Sequence, residues 1–191
     1  MNYQLKLVHG PELTQHFEAL GKLRIEVFKE YPYLYDGDLD YEKKYLSRYT
    51  RSQTALIILA YHKESLIGAS TCISLVDEDD DFKDPLLKAG FAPEKIFYFG
   101  ESTILKSHRG NGIGHEFFKL RERHAQKTTP NLEYTCFCAV ERSEHPLRPE
   151  TYRPLDSFWK RLGYEKQSIH MQYQWKDRDK THEDEKSSSF G

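Results

Sequence analysis

Residues 104–125 read ILKSHRGNGIGHEFFKLRERHA. Three glycines at alternate positions, Gly110, Gly112 and Gly114, stand between an apolar run and an amphipathic one. Upstream, KIFYFGESTIL (95–105) is aromatic and β-branched enough for a central strand. Downstream, Ile113, Phe117, Leu120 and His124 keep helical spacing as far as about Lys127. The glycines therefore join a strand to a helix, where bare backbone and orphan helix N–H groups can meet an anion. A P-loop needs Lys and Ser/Thr directly after its last glycine, but His115, Glu116 and Phe117 follow here. A dinucleotide fingerprint, G-x-G-x-x-G, starts at neither Gly110 nor Gly112. What stands is Arg109-Gly110-Asn111-Gly112-Ile113-Gly114.

Working outward, YQLKLVH alternates like a strand, and Leu13, Phe17, Leu20, Val27 and Phe28 recur at helical spacing over 11–30. YPYLYDGDLD (31–40) reads as a loop, and Tyr41, Tyr45 and Tyr49 line one side of a second helix. TALIILAY and SLIGASTCISLV are strands joined by a short hairpin turn. The acidic run from Asp77 to Asp81 reads as a solvated loop, with a helical patch at PLLKAGF. After the glycine-loop helix come the strand LEYTCFCAV, a proline-rich connection, a short helix closed by Gly163, and the late strand QSIHMQYQW. The tail KDRDKTHEDEKSSSFG has a disordered composition; we expect a charged hairpin loop leading into a short edge strand at Ser187 to Phe190. The fold class is mixed α/β, with neighbouring strands able to pair antiparallel.

A length of 191 residues suits one domain, 1–191, with ample core material at 38% hydrophobic and 14% aromatic. A formal net charge of −2 speaks against a nucleic-acid partner. No segment reaches the ~18 apolar residues of a membrane span, so we expect a soluble, cytoplasmic protein without a membrane partner. The three cysteines read as buried thiols, and the nine histidines show no metal-ligand spacing, so no metal is expected.

The R-x-x-G-x-G pattern resembles the acyl-CoA signature of the GNAT superfamily of N-acetyltransferases. The order of elements over nearly the whole chain is similar to that family, and SFWKRLGY (157–164) looks like its last block. The resemblance implies a mostly antiparallel twisted sheet, flanked by helices and splayed between its fourth and fifth strands. It implies acetyl-CoA as acyl donor, with N–H groups of Arg109, Gly110, Asn111, Gly112, Ile113 and Gly114 around the pyrophosphate. The backbone of Ile104 and Leu105 would receive the pantetheine arm like an added strand. A strand N–H near Thr103 or Ile104 would stabilise the charge that grows on the thioester carbonyl.

Acyl transfer requires a neutral amine, which for an amine of pKa ~10.4 costs about 4–5 kcal/mol at pH 7. In the family a carboxylate on the fourth strand often accepts the proton, and Glu101 is the acid there, beside Gly100, which suits a bulge. The other reading of Glu101 is a strand carboxylate paired with a basic neighbour. Where the family often has a catalytic tyrosine this chain has Trp159, which lacks a phenol; Tyr152 is a candidate to protonate the departing thiolate. Tyr31, Tyr33, Tyr35, Asp36 and Asp38, in the loop between the first two helices, suit a cationic amine; they equally suit a turn capped by Asp and packed by tyrosines. Arg142, His145 and Arg148 point instead to an acidic group on the acceptor. The implied activity is acetyl transfer from acetyl-CoA to a primary amine, a small molecule rather than a protein, by direct attack in a ternary complex. A non-catalytic module that senses acyl-CoA is the alternative, and the sequence is compatible with a homodimer.

Overall fold

The computed structural model describes residues 2–178 and 183–190. In chain order its first half comprises β1 (Gln4–Val8), α1 (Phe17–Phe28), α2 (Leu39–Arg51), β2 (Leu56–His62), β3 (Ser65–Ser74) and α3 (Asp80–Lys88). Then follow β4 (Ile96–Tyr98), β5 (Ser102–Ile104), α4 (Ile113–Thr128), β6 (Tyr134–Cys136), β7 (Cys138–Val140), α5 (Asp156–Arg161), β8 (His170–Lys176) and β9 (Glu183–Phe190).

The main sheet runs β1-β2-β3-β4-β6, with β5 also on β3. Every pairing in it is antiparallel except β4 with β6. Residues 56–60 of β2 are all fully buried because helices cover both faces. Alternation then sorts the side chains: Ile57 and Leu59 join Leu20, Leu23 and Leu46 of α1 and α2 in one core. Leu56, Ile58 and Ala60 join Ile113, Phe117 and Phe118 of α4 in the other. Each such buried Leu, Ile or Phe side chain contributes about 1.5–3 kcal/mol. Cys136 packs in the first core and Phe137 in the second, as alternation along that strand requires.

The expected central strand over 95–105 is broken into β4 and β5, and the break positions the site. Tyr98 pairs with Ile73 and Ser102 with Ser70, so three residues of this strand face two of β3. At the extra residue, Gly100 N–H donates to the Thr71 carbonyl at 3.1 Å and Thr71 N–H donates to the Glu101 carbonyl at 3.0 Å. This is a β-bulge. Gly100 is required there because a Cβ would lie 2.5 Å from Thr71 Oγ1 and 2.6 Å from the Tyr49 oxygen. Beyond the bulge the sheet opens: Phe99 N–H still donates to the Cys136 carbonyl at 2.8 Å, whereas β7 leaves to pair with β9.

Three expectations need correction. The acidic run is not a free loop: Asp80 and Asp81 begin α3, and Glu78, 3% exposed, is ion-paired to Arg48. The inward side of α2 is Glu42, Leu46 and Tyr49, while Tyr41 is 39% exposed. The last strand starts at Glu183 and is the middle strand of a second sheet, β7-β9-β8, rather than a short edge strand. Ladder hydrogen bonds are made by backbone, so two flanking strands can hold a polar segment that composition alone marks as disordered. Residues 179–182, part of the charged connection expected before it, lie outside the described residues.

Candidate active site

The glycine loop leads from the end of β5 into α4. Gly110 and Gly112 both have left-handed backbone, φ 78° and 81°, which glycine adopts without the strain a side chain would add. Gly112 is the N-cap of α4, and no side chain caps the helix. The first intrahelical acceptor is engaged by Glu116 N–H, which reaches the Gly112 carbonyl at 3.3 Å. A Cβ on Gly110 or Gly112 would meet nothing within 4 Å. Space over the loop is therefore open, and the amides at the start of α4 face it with the positive end of the helix dipole. Asn111 donates back to the His108 carbonyl at 3.0 Å and fixes the turn. Arg109 folds over the loop, donating from Nε to the Ile104 carbonyl at 3.0 Å and pairing with Glu30 at 2.8 Å. Open space and an uncapped helix start suit a group carrying negative charge.

The strand edge needs a finer assignment. Leu105 N–H donates to the Ile67 carbonyl at 2.9 Å, and Ala69 pairs with Thr103. In an antiparallel ladder successive residues turn their backbone groups to opposite sides, so Thr103 and Leu105 both face β3. The groups turned toward the opening are those of Ser102 and Ile104. Of the three residues expected to present backbone here, Ile104 does so and Thr103 and Leu105 do not.

Glu101 lies in the bulge, its side chain 9% exposed, ion-paired through Oε1 to Arg24 of α1. Its Oε2 accepts from the Tyr45 hydroxyl at 3.0 Å, and its own N–H donates to Thr71 Oγ1 at 3.2 Å. Arg24 also pairs with Glu42 of α2 and stacks on the Tyr45 ring at 4.1 Å. Burial alone would push the Arg24 guanidinium down, but Glu101, Tyr45 and Glu42 hold it well above its ordinary value. Burial first, and then the Glu101 charge, pushes the Tyr33 phenol up to about 12 and raises those of Tyr45 and Tyr49 as well. These hydroxyls stay protonated donors at neutral pH. Neither Arg24 nor Glu42 is among the residues singled out from the sequence, although each interrupts the apolar face of its helix.

The loop between α1 and α2 carries the other expected acceptor residues. Asp38 is the N-cap of α2, accepting from Asp40 N–H at 3.0 Å and Tyr41 N–H at 2.9 Å. Asp36 pairs with Lys176 at 2.6 Å. Tyr35 is buried beside Trp175, while Tyr31 and Tyr33 are half-buried. Arg142 is not available to an acidic acceptor: buried, it pairs with Asp177 at 2.8 Å and donates to the carbonyls of Pro32 and Tyr33 at 3.0 and 3.2 Å. Trp175 Nε1 also donates to the Tyr33 carbonyl, at 2.8 Å. The loop is thus tied to β8 and to the β7–α5 connection. Tyr152, from that connection, meets the Tyr31 ring edge-on at 4.6 Å, and burial ahead of Tyr31 raises its phenol. Trp159 packs on Phe137 at 5.0 Å. Gly163 closes α5 in left-handed conformation, φ 90°, as its position predicts, with Tyr164 N–H donating to the Trp159 carbonyl at 3.1 Å.

No protein-family model matches the chain, and no curated protein matches it in sequence. Solved structures match its fold. Arabidopsis thaliana NAA60, crystallised with acetyl-CoA, superposes with TM-score 0.63 at 11% identity, over 99% of this chain and 96% of that one. A GNAT-family acetyltransferase from Streptococcus pneumoniae gives TM-score 0.59 at 10% identity, over 99% and 97%. AAC(6')-Iy, solved with the bisubstrate analogue CoA-S-monomethyl-acetylneamine, gives 0.55 at 12%, over 86% and 92%. The chain has the fold of the GNAT acetyltransferases, as its glycine signature and order of elements lead one to expect.

Proposed function

We propose that the protein is an N-acetyltransferase that moves an acetyl group from acetyl-CoA to a primary amine of a small molecule, by direct attack in a ternary complex. The observation that carries this reading is the open, uncapped start of α4 beneath left-handed Gly110 and Gly112, reached through β5 from the bulge that holds Glu101. Acetyl-CoA supplies the thioester. Amides of residues 110–114 receive its pyrophosphate, with Arg109 folded over the loop, and Ser102 offers backbone groups to its pantetheine arm. The Ile104 N–H stands where the thioester carbonyl gains charge.

On the acceptor side, Glu101 attracts the ammonium form of the amine and takes its proton, directly or through water. Tyr31 and Tyr33 supply aromatic faces for a cation, whereas Asp36, paired with Lys176, and Asp38, which caps α2, are engaged within the loop. A thiolate of pKa ~8.5 departs unprotonated at pH 7 for only about 2 kcal/mol, so a proton from Tyr152 assists without being essential. Because the raised phenol is a weak acid, its contribution is small.

A panel of small-molecule primary amines and short peptides, followed by release of free thiol, tests the reading. Turnover of a small amine is expected; turnover of peptides alone would reassign the acceptor to proteins. The indole at Trp159 favours a second reading, a module that binds acyl-CoA without turnover. Tight acetyl-CoA binding with no thiol release across the panel would favour that module.

A further inference from the structure

We propose that Arg24 is a positioning residue of the acceptor site: it holds the Glu101 carboxylate fixed and anionic in the bulge while Glu42 stands beside it. This rests on the acetyltransferase reading above. The three side chains come from α1, α2 and the bulge, and their exposures are 7% for Arg24, 0% for Glu42 and 9% for Glu101. One guanidinium therefore serves two buried carboxylates. Its planar fork suits that task, with Nε on Glu42 and Nη1 toward Glu101, and the rings of Tyr45 and Phe28, at 4.1 and 5.0 Å, fix its plane.

Among the described residues no other cation is placed to take its position. Arg48 lies beyond the Tyr45 ring, 4.5 Å from its centroid, and is paired with Glu78 and Asp79. Arg121 feels the Glu101 charge but belongs to the other face of the sheet, stacked over Phe99 at 4.3 Å and making no ion pair with Glu101 among the described contacts. Among the described residues the remaining titratable neighbours are phenols: Tyr45 and Tyr49 from α2, Tyr33 and Tyr35 from the loop, and Tyr173 from β8. Burial first raises each of them, so none becomes a competing anion near neutrality. Without Arg24, two adjacent buried carboxylates are left with like charge, and such a pair retains a proton. Glu101 would then cease to be a fixed anion.

The test compares wild type, Arg24→Gln, Arg24→Lys and the double variant Arg24→Gln/Glu42→Gln. In Arg24→Gln, infrared spectroscopy should show a protonated carboxyl C=O band at neutral pH that is absent from wild type and from the double variant. With an amine that wild type acetylates, kcat/KM should fall at least about tenfold at neutral pH and recover relative to wild type in alkali as the shared proton leaves. Acetyl-CoA affinity should stay within about twofold, because the cradle is untouched. Arg24→Lys keeps the charge but not the fork, so it should show no protonated band and an intermediate kcat. A folded Arg24→Gln without the band, or with a loss equal at every pH, overturns the proposal. If that variant does not fold, an unchanged kcat and pH profile in both Arg24→Lys and the double variant overturns it. Wild type inactive on every amine would instead remove the acetyltransferase reading, while the infrared band still decides whether Arg24 keeps the pair ionised.

Discussion

Replacing Gly112 with alanine separates backbone strain from ligand approach. Its φ of 81° lies where an L-residue is strained, and its Cβ would have no protein neighbour within 4 Å. The folded state should lose about 1–2 kcal/mol from the strain alone. For a chain of this size that lowers Tm by roughly 2–8 °C. Gly90 provides the control: φ is 88°, again with nothing within 4 Å of its Cβ, in the turn after α3 and away from the loop. Gly90→Ala should lower Tm by a similar amount and leave acetyl-CoA binding intact. In Gly112→Ala the methyl stands over the amides that open α4. Losing one charge-assisted hydrogen bond costs about 1.5–3 kcal/mol, so Kd should rise about 10- to 150-fold. Calorimetric titration of acetyl-CoA into both folded variants decides the matter. Equal affinity in Gly112→Ala and Gly90→Ala would refute the cradle, since both carry the same strain.

Further expectations concern the acceptor side and stability. Glu101→Gln should lower kcat/KM for a protonated amine by about 10²- to 10⁴-fold, with recovery in alkali and unchanged acetyl-CoA affinity; full activity at neutral pH would make Glu101 structural. Arg142→Met removes a buried ion-pair partner of Asp177 and two hydrogen bonds to the carbonyls of Pro32 and Tyr33, which should lower stability and loosen the α1–α2 loop. Thermal unfolding should show the loss, and KM for the amine should rise while acetyl-CoA affinity holds. His124 donates through Nε2 to the Thr54 carbonyl at 2.7 Å, and burial lowers its imidazole despite that bond. Below about pH 6.5 the unfolded chain binds the proton that the folded one refuses, so stability falls with acid. His124→Gln should flatten that limb in a Tm-against-pH series; an unaltered slope would place the acid sensitivity in another group.

The glycine loop is legible in sequence because backbone conformation governs it. Alternate glycines between a strand and a helix announce left-handed turns and an uncapped helix start, and the apolar periods on either side locate them. Glu101 and Gly100 are readable for the same reason, since one glycine among aromatic strand residues marks a bulge. The acceptor half depends on pairings between distant segments. Arg24 occupies the face shared by Leu20 and Phe28, and Glu42 the face shared by Leu46 and Tyr49. A charged residue on the inward face of each helix is the available sign of a buried pair. The identity of the third member depends on how the helices cross the sheet. Asp38 and Arg142 look like recognition groups by residue type, but capping and burial engage them. Strand parity at Thr103 and Leu105 depends on the register with β3, which the bulge alters by one residue. Serines and charges hide β9, whose place is set by its neighbours' backbones.

The place of β9 also orders events in time. It lies between β7 and β8 yet follows both in the chain, and its pairing of Cys138 with Phe190 closes a long loop. Strands joined over such separation assemble slowly, after local contacts have formed. A chain emerging from the ribosome therefore presents β4, β5 and α4 before the strand that knits the second sheet exists. The anchors of the α1–α2 loop, Trp175 and Asp177, stand at the end of β8 and await that same strand. The glycine loop can take shape first, and the anchoring of the α1–α2 loop is completed last.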